Sequence, residues 1–292
     1  MFTGTYTAIV TPFRNGKIDE AALERLIQNQ NKAGVDGIVP VGTTGESPTV
    51  NYDEHIHLIA LSVRFAARKI KVLAGTGANS TSEAIYLTES AEKLGADGSL
   101  QVTPYYNKPT QEGLFQHFRA VALRTRLPMV LYSIPSRSGV EIGVETAMRL
   151  ARECRNIVGI KEASGNADRV SQLRAALGPK FEIMSGDDGL TLAFMAAGAQ
   201  GVISVASNVI PREMVRMVKA FAQGHARAAL RLHEKYYPLF KDLFIETNPI
   251  PVKAALALMG LIKEEYRLPL VPMSAKNREK LKATMKACGI LK

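Results

Sequence analysis

Tryptophan is absent from this 292-residue chain, and cysteine occurs only twice, at Cys154 and Cys288. Two such distant cysteines form neither a disulfide scaffold nor a close-spaced zinc motif, and a reducing cytoplasm fits them. No uninterrupted apolar run approaches the ~20 residues needed to span a bilayer. The opening Met1-Phe2-Thr3-Gly4-Thr5-Tyr6 lacks a basic region followed by a long apolar one, so no secretory signal is read there. The glycine-rich segments match neither the Walker spacing nor the dinucleotide fingerprint. Net charge is +10. The basic residues are scattered over expected helix surfaces, dense only in Lys276-Asn277-Arg278-Glu279-Lys280-Leu281-Lys282. Such a pattern needs no nucleic acid to explain it, and neither nucleic acid nor membrane is expected as a partner.

Hydrophobic residues make up 46% of the chain, enough for one large core or two unequal ones. Short β-branched runs recur at Tyr6–Thr11, Gly37–Val41, Lys71–Gly75, Ser99–Thr103, Met129–Ile134, Val158–Lys161, Glu182–Ser185 and Val202–Val205. Between them lie amphipathic stretches such as Asp19–Lys32, Tyr52–Arg68, Ser80–Leu94 and Gln111–Arg124. This alternation predicts parallel strands with helical crossovers. Three junctions echo one another: Ala33-Gly34-Val35-Asp36-Gly37, Leu94-Gly95-Ala96-Asp97-Gly98 and Ala197-Gly198-Ala199-Gln200-Gly201. One reused unit favours an α/β fold of the (β/α)8 TIM-barrel type over an open sheet. The barrel is expected over residues 1–224. A three-helix C-terminal extension is expected over 225–292, built of His225–Phe240, Pro251–Met259 and Ser274–Ala287.

Lys161 interrupts Ile157-Val158-Gly159-Ile160-Lys161-Glu162-Ala163, which otherwise reads as a buried strand. An ammonium there is costly unless something uses it. At the C-terminal end of a barrel strand its desolvated amine would be a nucleophile toward a carbonyl; alternatively it is a strand-end lysine reaching solvent. The loops after barrel strands form the active face, so polar strand ends are the other candidates. Gly42-Thr43-Thr44-Gly45-Glu46 could hold a carboxylate through amides and hydroxyls, or be a tight loop with capping hydroxyls. Gly75-Thr76-Gly77-Ala78-Asn79 reads as a turn before a helix. Tyr105 and Tyr106, in Thr103-Pro104-Tyr105-Tyr106-Asn107-Lys108-Pro109, suit an interface or the barrel rim. Tyr132 shares the face of Val130 on the two-residue period, so its hydroxyl can enter the mouth. Arg137, in Ser136-Arg137-Ser138-Gly139, could grip a carboxylate or pair with a helix. Asp187 and Asp188 lack a matching third metal ligand and suit a helix-starting cap. An unusual lysine, a tyrosine one strand earlier and an anion-binding loop across the barrel together favour imine chemistry on a keto acid.

These segments resemble the bacterial dihydrodipicolinate synthase family, of the pyruvate-dependent class I aldolase superfamily, from Phe2-Thr3-Gly4 through Asn248-Pro249-Ile250-Pro251-Val252-Lys253. The superfamily marks are Gly42-Thr43-Thr44-Gly45-Glu46 and Lys161 in Gly159-Ile160-Lys161-Glu162-Ala163. The tyrosine-pair loop, Pro135-Ser136-Arg137-Ser138-Gly139 and Ser185-Gly186-Asp187-Asp188 point to the synthases. The resemblance implies condensation of pyruvate with L-aspartate 4-semialdehyde through a Schiff base on Lys161, on the diaminopimelate and lysine route. It implies no metal and no separate cofactor. It also implies that Thr43 and Thr44 hold the pyruvate carboxylate, while Tyr132, Thr43 and Tyr106 relay protons, with Tyr106 entering from a neighbouring subunit. Arg137 would bind the semialdehyde carboxylate, and the backbone at Gly186 and Ile203 would line the pocket. A homotetramer built as a dimer of dimers is the implied assembly.

Two departures stand out. Ser133 follows the relay tyrosine where the family commonly has asparagine; pointing away from Tyr132, it should retune the surroundings without removing activity. Lysine-inhibited relatives bind the effector at a subunit interface, and the matching positions here include Ser47, His55, Asn79, Glu83 and Tyr105. Pro48, however, replaces a small residue, and Tyr52 stands where histidine is common. Lysine inhibition is therefore an expectation that equal initial rates across a lysine titration, at limiting pyruvate, would refute. The rival enzyme is an N-acetylneuraminate lyase or 2-keto-3-deoxy sugar-acid aldolase, which would share Lys161 and Tyr132 but need more hydroxyl-recognising side chains. A non-enzymatic binding protein of this fold should have lost one of Thr43, Tyr106, Tyr132 or Lys161, and all four are present.

Overall fold

The computed structural model describes all 292 residues. Eight parallel strands close a barrel: β1 Gly4–Ala8, β2 Gly37–Val39, β3 Lys71–Gly75, β4 Gly98–Val102, β5 Met129–Ser133, β6 Ile157–Glu162, β7 Glu182–Ser185 and β8 Gly201–Ser204. Each strand pairs with the next, and β8 closes on β1. Helices α1 Glu20–Ala33, α2 Tyr52–Ala66, α3 Thr81–Lys93 and α4 Gln111–Ala122 follow the first four strands. A single turn, α5 Pro135–Ser138, precedes α6 Val144–Glu153; then come α7 Ala167–Leu177, α8 Thr191–Ala196 and α9 Pro211–Ala222. The tail adds α10 Ala226–Asp242, α11 Ile250–Leu258 and α12 Ala275–Ala287, with α10 lying along α9 and α12 packing on both α10 and α11. No helix is long and apolar enough to cross a membrane.

The repeated junctions have a common cause. Gly34, Gly95 and Gly198 take positive φ (78°, 83° and 111°) where a helix gives way to the next strand. The second glycine makes room for the barrel floor. A Cβ on Gly37 would fall 2.2 Å from the Tyr6 ring, and one on Gly98 2.4 Å from the ring of Phe2. These two rings belong to a ten-residue layer inside the barrel with Leu73, Leu100, Val130 and Tyr132. The larger core of 65 residues lies between strands and helices and extends under the tail. Both cysteines are buried and unpaired.

Several strands end earlier than their apolar runs. The second run stops at Val39 because Val41 turns left-handed (φ 53°). The first strand leaves the ladder after Ala8. There the Val10 amide donates to Asn208 Oδ1 at 3.3 Å and the Thr11 hydroxyl to the Gly45 carbonyl at 2.6 Å. The strand-end residues thus turn inward to build the mouth rather than extending the sheet.

Candidate active site

Residue parity and one irregularity place the central pair. Along β6, Gly159 and Lys161 face the barrel interior, while Glu162 faces the helices and pairs with Arg169 Nε at 2.8 Å. Met129 pairs with Ile157, but Val130 pairs with Gly159, so a bulge skips Val158. Without that extra residue Tyr132 would lie opposite Ile160. With it, Tyr132 lies opposite Lys161, both pointing inward. The Lys161 ammonium stands 4.1 Å from the Tyr132 ring centroid. The Tyr132 carbonyl accepts from both the Thr103 amide (2.9 Å) and hydroxyl (2.8 Å), which anchors the top of β5 to β4.

Lys161 is 6% exposed and makes no salt bridge. It lines an inner chamber of about 50 Å³ with Thr43, Thr44, Tyr132, Arg137 and Gly186. The chamber adjoins a more open cavity of about 200 Å³, which shares Thr43, Tyr132 and Arg137 and adds Ser47, Pro48 and Tyr105. The larger space does not reach Lys161. The chemically equipped space is therefore the small chamber at the end of the wider approach. Gly186 keeps it open: a Cβ there would lie 3.0 Å from Lys161 Cε and 2.7 Å from Ala163 Cβ.

Across the chamber, the 42–46 loop turns under strain. Val41 and Glu46, neither of them glycine, hold φ of 53° and 57°. Such backbone costs roughly 1–3 kcal/mol per residue and persists only where surroundings enforce it. Here Thr11 bonds Gly45, Asn248 Nδ2 donates to Thr44 Oγ1 at 3.0 Å, and Lys253 pairs with Glu46. Arg137, on the α5 turn, donates from Nη2 to the Asn248 carbonyl at 3.2 Å. It therefore stands at the chamber with no carboxylate partner in the chain, and the helix salt bridge open from sequence is not formed.

The other expected residues divide. Ile203 packs in the inner layer below the chamber, whose wall on this side is Val205. Tyr106 is 91% exposed with a left-handed backbone (φ 72°) and does not line its own chamber. Ser133 is fully buried, and its Oγ accepts from the Ile142 amide at 3.4 Å, on the side away from Tyr132. Asp187 accepts from the Leu190 amide at 3.1 Å in the turn leading into α8. Asp188 is buried and accepts from the amides of Val205 (3.0 Å) and Ala206 (2.8 Å) through one oxygen. Burial pushes its carboxyl up to about 6. No group of three or more His, Cys, Asp or Glu side chains is placed to hold a metal ion.

At the outer edge, Asn79 Nδ2 donates to the Tyr105 carbonyl at 3.2 Å. Glu83 lies beside the Tyr52 hydroxyl and raises its pKa by its charge. Burial, and then Glu83, raises that of Tyr105. His55 is buried, its Nε2 donates to the carbonyl of Gly75, and burial lowers its pKa; Gly75 lines the same wide cavity as Ser47 and Tyr105. Besides apolar wall residues such as Val205, two contributors from the tail carry no mark in the sequence. Asn248 is 5% exposed with an unpartnered Oδ1, and Phe244 forms chamber wall. Lys253 carried the same signal as Lys161, a lysine inside an apolar run, yet its amine is paired with a carboxylate.

The family pattern for the dihydrodipicolinate synthetase family matches residues 1–288. The 4-hydroxy-tetrahydrodipicolinate synthase of Persephonella marina is 53% identical over 293 residues, covering 100% of both chains. The solved structure of the 4-hydroxy-tetrahydrodipicolinate synthase from Methylacidiphilum fumariolicum SolV is 57% identical and superposes with a TM-score of 0.98, covering 99% of this chain and 96% of that one. The dihydrodipicolinate synthase of Acinetobacter baumannii, solved in complex with pyruvate, is 46% identical with a TM-score of 0.97 and 100% coverage of both chains. With a lysine and a tyrosine facing one chamber and likeness over nearly its whole length, the chain belongs to the dihydrodipicolinate synthetase family.

Proposed function

We propose that this chain condenses pyruvate with L-aspartate 4-semialdehyde to form 4-hydroxy-tetrahydrodipicolinate. The observation that carries the reading is Lys161: a buried amine, pinned by no carboxylate, facing a small chamber beside Tyr132 and across from the threonine loop. The lysine nitrogen attacks C2 of pyruvate, and the carbonyl oxygen leaves as water. The imine then draws electrons from the adjacent C–H bond, so the methyl carbon loses a proton and becomes an enamine nucleophile. That carbon attacks the aldehyde, forming the new C–C bond and an alkoxide that takes up a proton. The substrate's own amino group displaces Lys161 from C2, closing the ring and freeing the enzyme. One water is lost overall. The imine is the electron sink, so the step asks for no metal or separate cofactor.

In this reading Thr43 and Thr44 hold the pyruvate carboxylate, and Tyr132 passes protons at the imine with Thr43 as its neighbour. Arg137 meets the semialdehyde carboxylate where the wide cavity narrows, with Gly186 and the Ile203 backbone framing the floor. Tyr106 completes the relay from a second copy of the chain. Its exposure supports this, as does that of Tyr52 and Tyr86, whose rings meet edge to face with centroids 6.1 Å apart. The assembly is a homo-oligomer, and a tetramer built from dimers is the expected form.

Arg137 separates this reading from that of a sugar-acid aldolase. A coupled assay should show turnover of the semialdehyde in preference to sugar-derived aldehydes at saturating pyruvate. Arg137→Ala should raise KM for the semialdehyde about 10–100-fold, the loss expected for charge-assisted hydrogen bonds, with a smaller change for pyruvate. A clear preference for a sugar aldehyde would overturn the assignment.

A further inference from the structure

We propose that Lys253 and Glu46 form a positioning device that fixes the Thr43–Thr44 loop for the carboxylate of the keto acid. The inference rests on the reaction proposed above and extends it to residues that touch no substrate. Both side chains are fully buried, and the ammonium of Lys253 meets Glu46 Oε1. The ammonium also faces the ring of Phe13, 4.4 Å from its centroid, and that of Tyr266, at 5.1 Å. The backbone amide of Arg267 lies 3.5 Å from the second Glu46 oxygen. Arg267 itself spans outward, donating to the Thr49 carbonyl at 3.0 Å and to both Glu54 oxygens at 2.6 Å. The last residue of the 42–46 loop is therefore held from the C-terminal tail, on the side away from the chamber.

The geometry carries more than a local contact. Asn248 and Lys253 bracket the start of α11, and each grips the loop: Asn248 at Thr44 and Lys253 at Glu46. The same Asn248 accepts Arg137 through its carbonyl. One short segment thereby ties the group proposed for the first carboxylate to the group proposed for the second. A buried ion pair is a poor means of gaining stability, because desolvation offsets much of the attraction. It is a good means of imposing direction, since an ammonium fixes where the carboxylate must lie. The loop needs that, because Val41 and Glu46 are held in left-handed backbone.

The test compares wild type with K253M, E46Q and the E46Q/K253M double variant. A lone K253M leaves Glu46 as an uncompensated buried charge and should melt lower, whereas the double variant removes both charges and should regain much of the melting temperature. Positioning predicts that the double variant still shows a pyruvate KM raised about 10-fold or more, with KM for the semialdehyde changed far less. It also predicts that borohydride trapping at Lys161 loses preference for pyruvate over methyl pyruvate, which lacks the carboxylate. Recovery of melting temperature together with wild-type pyruvate KM and preference would overturn the device, leaving the pair a packing element. Should the double variant not fold, E46Q alone decides on the same two ratios. Wild-type protein that traps no pyruvate would overturn the reaction itself and the device with it; wild-type trapping with unchanged variants would overturn the device alone.

Discussion

Lys161→Ala is expected to abolish covalent capture of pyruvate and to lower kcat/KM on the order of 10³-fold or more. The size of the effect follows from what the amine supplies. Without an imine, the methyl carbon of pyruvate has no nearby electron sink, and no other free amine reaches the chamber. Lys253, the other buried lysine of the site region, is tied to Glu46 on the far side of the loop. The fold should tolerate the change. Lys161 makes no ion pair, so its removal leaves no carboxylate orphaned, and the melting temperature should stay close to that of the wild type. Reduction with borohydride in the presence of pyruvate, followed by peptide mass analysis, is the direct check. An adduct on Lys161 in the wild type and none in the variant is the expected result; an adduct elsewhere, or full activity without Lys161, would refute the mechanism.

Tyr132→Phe should lower kcat on the order of 10²–10³-fold, the range for loss of a positioned proton-transfer group. This substitution isolates the hydroxyl, because the ring that faces the Lys161 ammonium at 4.1 Å is kept. The backbone anchors are kept too, since Thr103 bonds the Tyr132 carbonyl rather than its side chain. The Lys161 adduct should therefore still form, but slowly, and at saturation with pyruvate it should approach the wild-type amount. Burst and steady-state rates separate the two effects. A wild-type rate of imine formation in Tyr132→Phe would remove the tyrosine from the relay and leave water or Thr43 to move the proton.

The barrel was legible because its cause is local and repeated. Helix-ending glycines at Gly34, Gly95 and Gly198, each followed by a glycine at a strand start, declare one unit used again. Lys161 was legible for the opposite reason: a charge inside an apolar strand is expensive wherever it sits, so it stands out from its neighbours alone. The same rule could not tell Lys161 from Lys253, which lies in an apolar run of α11 with Ile250, Val252 and Leu256. At Val39 and Ala8 the strands end before their apolar runs do, because strained backbone and side-chain acceptors such as Asn208 replace the ladder there.

Local chemistry in the sequence thus determined the class of fold, the candidate nucleophile and the polar groups at the barrel mouth, since propensity, period and desolvation cost act over a few neighbouring residues. The tertiary structure alone decided which of two buried lysines is left without a carboxylate. It decided that a bulge at Val158 sets Tyr132 opposite Lys161 rather than Ile160. It also brought Asn248, about two hundred residues distant in sequence, onto Thr44. The physical reason is common to all three: partner identity and strand register depend on which distant segments come together, strand against strand in the barrel for Tyr132 and tail against the 42–46 loop for Asn248 and Lys253.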